Sequence, residues 1–546
     1  MRPPDVPTTA ATAHAEAAPI FPIESCGPNR FISVPAQEAG GFRGHGLTLG
    51  LIAVALLTGA TPGLGMDWPQ YRGPNHDGIS PDRIVKDWPA EGPRQVWRIN
   101  LTDGFSSFAV SGGKAFTLDS RQLGGVDQEF CVALNAATGQ ELWATPLGLA
   151  DYQYGADIGD GPRSTPTIDG DRVYTSSVDL SLACLEADTG KVLWRKDLVT
   201  EHGAQNIPWQ NAASPLIDGG LLFVNCNAPG RTLLALRKTD GSLAWQSGTD
   251  RLTQATPVAA TILGVRQVIF FTQSGLVSVV PATGTELWRY AFLFSTSTAA
   301  SPVVAGDIVF CSAAYGVGAG AVKVSKSGDA FTAAQLWRVA GNKVGNHWST
   351  AVYHAGYVYG LFGSYDNVKL KCLELATGLE KWAESGFGPG GVVVVDDHLL
   401  ILSDTGALVL VQTDPSAYTE VARTQAVTGK CWNVPAVSDG RIYARSTSEA
   451  VCLDVSVPPP PPLRVQSATL TSGGSLQLSV VSSDGAPLDA SRVARIQLRV
   501  TADLSVPLTQ WDPVSTAGLL ENGVLRFEDA DPGVVQQRFY AVVEQP

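Results

Sequence analysis

Three regularities in the chain predict an all-β fold: an eight-bladed β-propeller of four-stranded antiparallel blades, with a small C-terminal β-sandwich-like domain. Tryptophans recur at 97, 143, 194, 245, 288, 337 and 382, at spacings of 43 to 51 residues, which suits one four-stranded blade per repeat. Several close near-copies of one phrase: "ALNAATGQELW" (133–143), "CLEADTGKVLW" (184–194), "ALRKTDGSLAW" (235–245) and "CLELATGLEKW" (372–382). A strand opening recurs as well, in "STPTIDGDRVY" (164–174), "ASPVVAGDIVF" (300–310), "STAVYHAGYVY" (349–359) and "NVPAVSDGRIY" (433–443).

In chain order, residues 1–66 form an N-terminal extension that is Pro- and Ala-rich up to residue 42. Its apolar run "LTLGLIAVALLTG" (47–59), with Arg43 ahead and small residues behind, has the pattern of a secretory signal h-region. Export is therefore expected, to a periplasmic, cell-surface or secreted destination. No stable membrane span is expected once the signal is removed.

The propeller is expected over 67–456. Residues 213–247 display its grammar: "ASPLIDG", "LLFVNC", "TLLALRK" and "SLAWQS" are four short apolar strands, separated by Asp-Gly, Pro-Gly and Thr-Asp-Gly turns. Glycine accepts the positive φ that such turns require, which assigns that role to Gly139, Gly190, Gly241, Gly284 and Gly378. Blades fall near 107–145, 164–196, 213–247, 255–290, 300–339, 349–384, 391–424 and 433–455. The seventh lacks its tryptophan and the fifth carries an insertion. The eighth lacks a fourth strand, because "VPPPPP" follows it. The orphan "QVWRINL" (95–101) is expected to pair with "AVCLDVS" (450–456) and close the ring, removing two open edges.

The phrase A-x-D-x-x-T-G-x-x-x-W resembles the tryptophan-docking motif of the PQQ-like (quinoprotein-type) β-propeller repeat family. Asn135 stands at the acidic position in the first copy and Glu in two others. The segment "DWPQYRGPNHDGIS" (67–80) also looks like one that often precedes such propellers in secreted bacterial proteins. For the quinoprotein dehydrogenases of this family, the resemblance implies PQQ with calcium over the central channel, an adjacent cysteine pair, an acidic base and Glu/Asn/Asp metal ligands. The eight cysteines, at 26, 131, 184, 226, 311, 372, 431 and 452, include no adjacent pair and no CxxC. No catalytic residue, metal ligand or resident cofactor is therefore expected, with PQQ and calcium as the alternative. The cysteines read as buried free thiols.

Beyond the polyproline linker (457–462), residues 463–546 alternate again, as in "LQLSVVS" and "ARIQLRVTA", and predict a small β module. Hydrophobic residues make up 44% and charged residues 16% of the chain, which excludes a disordered protein, and the net charge of −13 argues against nucleic acid as a partner. No GxSxG, HExxH or P-loop occurs. "GVGAG" (316–320) reads as a hairpin turn, and "FEDADPG" (527–533) reads as an acidic turn rather than a calcium site.

Residues that precede the innermost strands converge on one mouth of the channel. There Arg163, Trp209, Gln210, Asn211, His347, Trp348, Trp432 and Asn433 are the candidate ligand-funnel residues, suited to a planar or sugar-like ligand or an extended peptide. The competing expectation is that they plug the channel and bond the loop backbones. The resulting functional expectation is an exported, non-catalytic scaffold that binds a protein, small-molecule or saccharide ligand, and acts as a monomer. In repeat type and blade number it resembles the propeller subunit of the outer-membrane β-barrel assembly machinery, although the chain has no lipidation cysteine near 60–66. The alternatives are a divergent PQQ-dependent dehydrogenase of alcohols or sugars, and a surface carbohydrate- or polymer-binding protein.

Overall fold

A computed structural model describes residues 30–34, 51–56, 66–152, 161–251, 253–294, 298–471, 475–530 and 537–544. The chain divides into two compact units, 65–457 and a second one that combines 458–546 with 1–64.

The larger unit is a ring of eight four-stranded blades, one of them joined by a further short strand, and in the first seven the four blade strands run from inside to outside in chain order. The inner strands are short, such as Leu216–Asp218 and Val352–His354. The last blade follows the closure expected from the sequence: Arg94–Asn100 pairs antiparallel with Glu449–Asp454 as its outer strand, placing Trp97 opposite Cys452. The ring thus has no open edge at its seam. The insertion in the fifth blade is a long hairpin, Gly318–Ser327 with Ala330–Val339.

The repeated phrase acquires a mechanical reading. Each docking tryptophan lies opposite a small residue of the third strand, namely Cys184 for Trp194, Ala235 for Trp245 and Cys372 for Trp382. A register shift follows that residue in every one of these pairs. This explains why cysteines recur at equivalent places, since only a small side chain fits beneath the indole; all seven described cysteines are buried and free. The indole N–H then crosses to the next blade. Trp97 donates to the Ala136 carbonyl, Trp143 to Ala187, Trp194 to Lys238, Trp245 to Pro281, Trp337 to Leu375 and Trp382 to Asp414. Trp288 is the exception and donates to Gln267 of its own blade; the blade after it is the one that carries the inserted hairpin.

The turn glycine is the landing surface for the preceding blade's indole. At Gly284 (φ +71°) an added Cβ would sit 2.4 Å from the Trp245 ring. Gly264 of the same blade has φ +79° with nothing within 4 Å. Gly264→Ala should therefore incur only the left-handed backbone cost, about 1 kcal/mol, whereas Gly284→Ala adds the clash and should cost at least about 2 kcal/mol more. Equal losses in chemical denaturation would refute the docking role.

The structure adds a feature the sequence did not reveal. Residues 67–82 cross the channel and close it. Trp68 exchanges backbone hydrogen bonds with Val110 of the first inner strand, and the Pro69 carbonyl accepts from Ile168 of the second. Ile79–Ser80 runs parallel to Val394–Val395 in the seventh blade, and Asp82 accepts from the Gly440 amide in the eighth.

The smaller unit is a two-sheet sandwich. One sheet holds Leu463–Leu470, Leu476–Ser482, Val524–Asp529 and Leu519–Glu521. The other includes Ile496–Thr501 and Gln537–Glu544, and Leu478, Phe527, Leu498 and Val542 meet in a shared core. The module is not confined to 463–546, because Arg30–Val34 and Leu51–Leu56 extend the second sheet. Leu51–Leu56 belongs to the apolar run read as a signal; a run of aliphatic residues serves a strand as readily as an h-region. The rest of that run lies outside the described residues. Among the described residues no helix is long and apolar enough to cross a membrane.

Candidate functional site: an aromatic funnel over a plugged channel

Above the plug lies a cavity of about 640 Å³, within the range of small-ligand sites. Six of the eight residues singled out from the sequence line it: Arg163, Trp209, His347, Trp348, Trp432 and Asn433. The other two turn away. Gln210 Nε2 donates to the Asp151 carbonyl, and buried Asn211 bonds Ser176 and Ser177. Those two residues meet the competing expectation of loop-backbone bonding, because their amides are short enough to satisfy carbonyls next to them.

The rings form an arc along the wall. Phe105 stacks on Trp432 with centroids 5.1 Å apart, and Trp432 packs on Trp348 at 4.4 Å. The arc continues from Trp348 to His347 at 4.9 Å, then to Tyr315 at 4.5 Å and to Trp209 at 6.1 Å. Trp348 is fixed by its N–H on the Pro389 carbonyl, 2.7 Å away. Trp209, Gln210 and Tyr315 have positive φ, a local strain that non-glycine residues carry only when their surroundings hold them. The Gln254 amide provides such support, donating to the carbonyls of both Trp209 and Gln210. Burial lowers the pKa of His347, so its ring is neutral at neutral pH.

Tyr315 and Tyr365 were missed by sequence reasoning because they lie outside the segments preceding inner strands, and Tyr71 because it belongs to the plug. Phe105 stands four residues before the inner strand Ala109–Ser111, as Trp432 stands before Ala436–Ser438, so the same rule could have found it. Tyr71 lines the cavity and reaches Thr350 Oγ1 at 3.1 Å.

A second wall is made of hydroxyls. The Ser or Thr at the start of successive inner strands links blade to blade: Ser107 Oγ accepts from Val434 N, Thr165 Oγ1 from Ser107 N, Ser214 Oγ from Thr165 N, and Thr256 Oγ1 from Ser214 N, at 2.9 to 3.1 Å. The recurrent "STP" and "ASP" openings are the signal that could have shown this seam.

Two buried titratable groups near these features oppose one another. Burial pushes Glu129 up to about 7, although it accepts from Val178 N and the Tyr152 hydroxyl. Burial, aided by Arg266 and Arg72, pushes His76 of the plug down to about 4. Glu129 in the fold holds a proton that the unfolded chain releases near pH 4.3, so its contribution to stability falls as pH rises towards 7. His76 refuses a proton that the unfolded chain takes up near pH 6.5, so its contribution falls as pH drops towards 4. Each is on the order of 3 kcal/mol, and they cancel where the windows overlap. Between pH 4.5 and 6.5, Glu129→Gln should give a melting temperature that rises with pH and His76→Gln one that falls. Parallel profiles in the two variants would refute the assignment.

The donor set does not suit PQQ with calcium. PQQ is an anionic quinone, yet the cavity lining offers Arg163 as its cation and Asp366 as its carboxylate. Among the described residues no group of three His, Cys, Asp or Glu side chains could hold a metal ion.

Residues 126–384 match the family model described as outer membrane protein assembly factor BamB. The BamB of Shewanella oneidensis is 26% identical over 222 residues, which is 38% of this chain and 52% of that protein. The BamB of Burkholderia pseudomallei is 30% identical over 98 residues, 17% of this chain and 25% of that protein. The chain thus spans about half the length of the first relative and a quarter of the second. Among solved structures, the quinohemoprotein alcohol dehydrogenase of Comamonas testosteroni superposes with a TM-score of 0.51 at 12% identity, over 78% of this chain and 84% of that one, a likeness of fold alone. With indole and turn glycine interlocked from blade to blade around a closed ring, the chain is a β-propeller whose residues 126–384 carry the PQQ-like repeat.

Proposed function

We propose that the chain is an exported, non-catalytic scaffold that binds a protein or small ligand. The observation that carries this reading is the composition of the funnel. It has a closed floor and a preformed aromatic wall, and among the described residues its lining offers a single carboxylate, Asp366, a single histidine, His347, and no metal-ligand set. Preorganised shape without a reacting group suits binding rather than turnover. The curated relatives named as assembly factors support a role in holding other proteins. The apolar run behind Arg43 supports export; cleavage near residues 60–66 would also remove the two strands that extend the second sheet of the smaller unit.

The test is expression with the chain's own N-terminus in a Gram-negative host, followed by intact-mass analysis of the periplasmic fraction and incubation with PQQ and calcium. Periplasmic recovery without quinone absorbance or dye-linked alcohol oxidation is expected. Turnover would replace the scaffold reading with a dehydrogenase, and retention in the cytoplasm would refute export.

A further inference from the structure

We infer that the funnel is a binding site for a neutral saccharide, an inference that rests on the scaffold reading and names its ligand class. Three observations converge on it.

The first is the unspent hydrogen-bonding capacity of the hydroxyl seam. Ser107, Thr165, Ser214 and Thr256 line the cavity, and each is at least nine-tenths buried. Each hydroxyl oxygen accepts one backbone N–H, as described above, and none of their protons has an acceptor among the described residues. Four hydroxyl donors from adjoining blades therefore face a space of ligand size, and a buried polar group is costly unless it is paired. A ligand that satisfies them must carry several acceptor oxygens along one edge.

The second is an acceptor in the same cavity. Asn433 is 6% exposed, and its Nδ2 donates to the Arg445 carbonyl while Oδ1 has no partner. The ligand must therefore also donate. Neutral hydroxyls both accept and donate, whereas ionised carboxylates and phosphates only accept.

The third is the aromatic arc, where Phe105, Trp432 and Trp348 offer flat apolar surface. The C–H face of a pyranose ring matches such a surface, while its hydroxyls project around the rim. Charge narrows the choice further. Lys430 Nζ already lies 4.4 Å from the Trp432 ring centroid, and Arg163 is on the wall, so a cationic ligand is disfavoured. Asp366 stands opposite that bias, and no cluster of cations awaits a polyanion. An extended peptide would need free backbone groups to pair with, but the amides of Ser107, Thr165, Ser214 and Val434 are committed to the seam.

The experiment is a titration of the whole chain with cellobiose, maltose and N,N′-diacetylchitobiose, read by tryptophan fluorescence and by saturation transfer to the saccharide C–H protons. At least one should bind saturably with Kd between roughly 10 μM and 1 mM. Trp432→Ala should weaken that binding at least about tenfold. Trp432→Phe should restore most of it, and that rescue separates a stacking role from loss of fold. No saturable binding to any of the three, or binding that Trp432→Ala leaves unchanged in a protein that melts normally, overturns the inference. Such a failure leaves the scaffold reading standing with a protein ligand, whereas dye-linked turnover with PQQ removes the scaffold reading itself.

Discussion

Deleting residues 90–101 should abolish the cooperative folding of the propeller, giving insoluble protein or a melting temperature lower by more than about 10 °C. The segment supplies the outer strand of the last blade and its indole. Trp97 is 5% exposed, stands opposite Cys452, and packs edge-on to Phe108 of the first blade and tilted against Tyr443. Without it, Glu449–Asp454 becomes an open edge, and Gly139 and the Ala136 carbonyl of the first blade lose the indole that lies on them. A ring amplifies such a loss, because every blade buries its faces against two neighbours and an opened ring exposes both sides of the break. The point variant Trp97→Ala keeps the strand and removes only the dock, so it should cost about 3–5 kcal/mol, in the range of large-to-small core substitutions. Thermal denaturation followed by circular dichroism measures both. A deletion that melts like the intact chain would mean the ring is closed by other contacts.

The ring was legible because its determinants are local and repeated. A turn glycine, a small residue beneath an indole and an indole at a fixed distance recur in sequence, so blade number and closure could be counted before any geometry was known. The funnel was legible in part, since position before an inner strand decides which residues reach the mouth; that rule finds Trp209, Trp348 and Trp432. It fails for Gln210 and Asn211, whose left-handed or buried backbone context turns them into the loop. It also fails for Tyr315, which joins the arc from the turn between the second and third strands of the fifth blade, whereas Phe105, four residues before Ala109–Ser111, obeys the rule. The plug was illegible for a different reason. Its determinants are backbone carbonyls of other blades, and a carbonyl has no letter in a sequence. The strand Leu51–Leu56 shows the same limit for an apolar run, whose composition alone does not distinguish a signal from a sheet edge.

Arg72→Met should cost about 3–5 kcal/mol and release the plug, because Arg72 joins it to the sixth blade through two backbone acceptors, beside the single Tyr71–Thr350 hydroxyl contact. Arg72 is 1% exposed, and burial lowers its pKa. Nη1 donates to the Thr350 carbonyl at 3.1 Å, while Nη2 donates to the Asp77 and Ala351 carbonyls, both at 2.8 Å. Nε donates to the His76 carbonyl at 3.4 Å. Methionine keeps much of the volume but none of the donors, leaving these carbonyls without their partner in a site closed to water. Lysine should fail to rescue, because a single ammonium cannot span acceptors that a planar fork reaches from three nitrogens. The expected signature has two parts: a melting temperature lower by roughly 5 °C, and hydrogen exchange that accelerates at the Trp68 and Gly78 amides before it does in the blades. The second part is the more discriminating, since a general weakening of the core would raise exchange in the blades and the plug together. Protection at those two amides equal to that of the parent chain would show that the plug is held by its backbone pairing with the first, second and seventh blades. Arg72 would then be dispensable, and the floor of the funnel would belong to the ring itself.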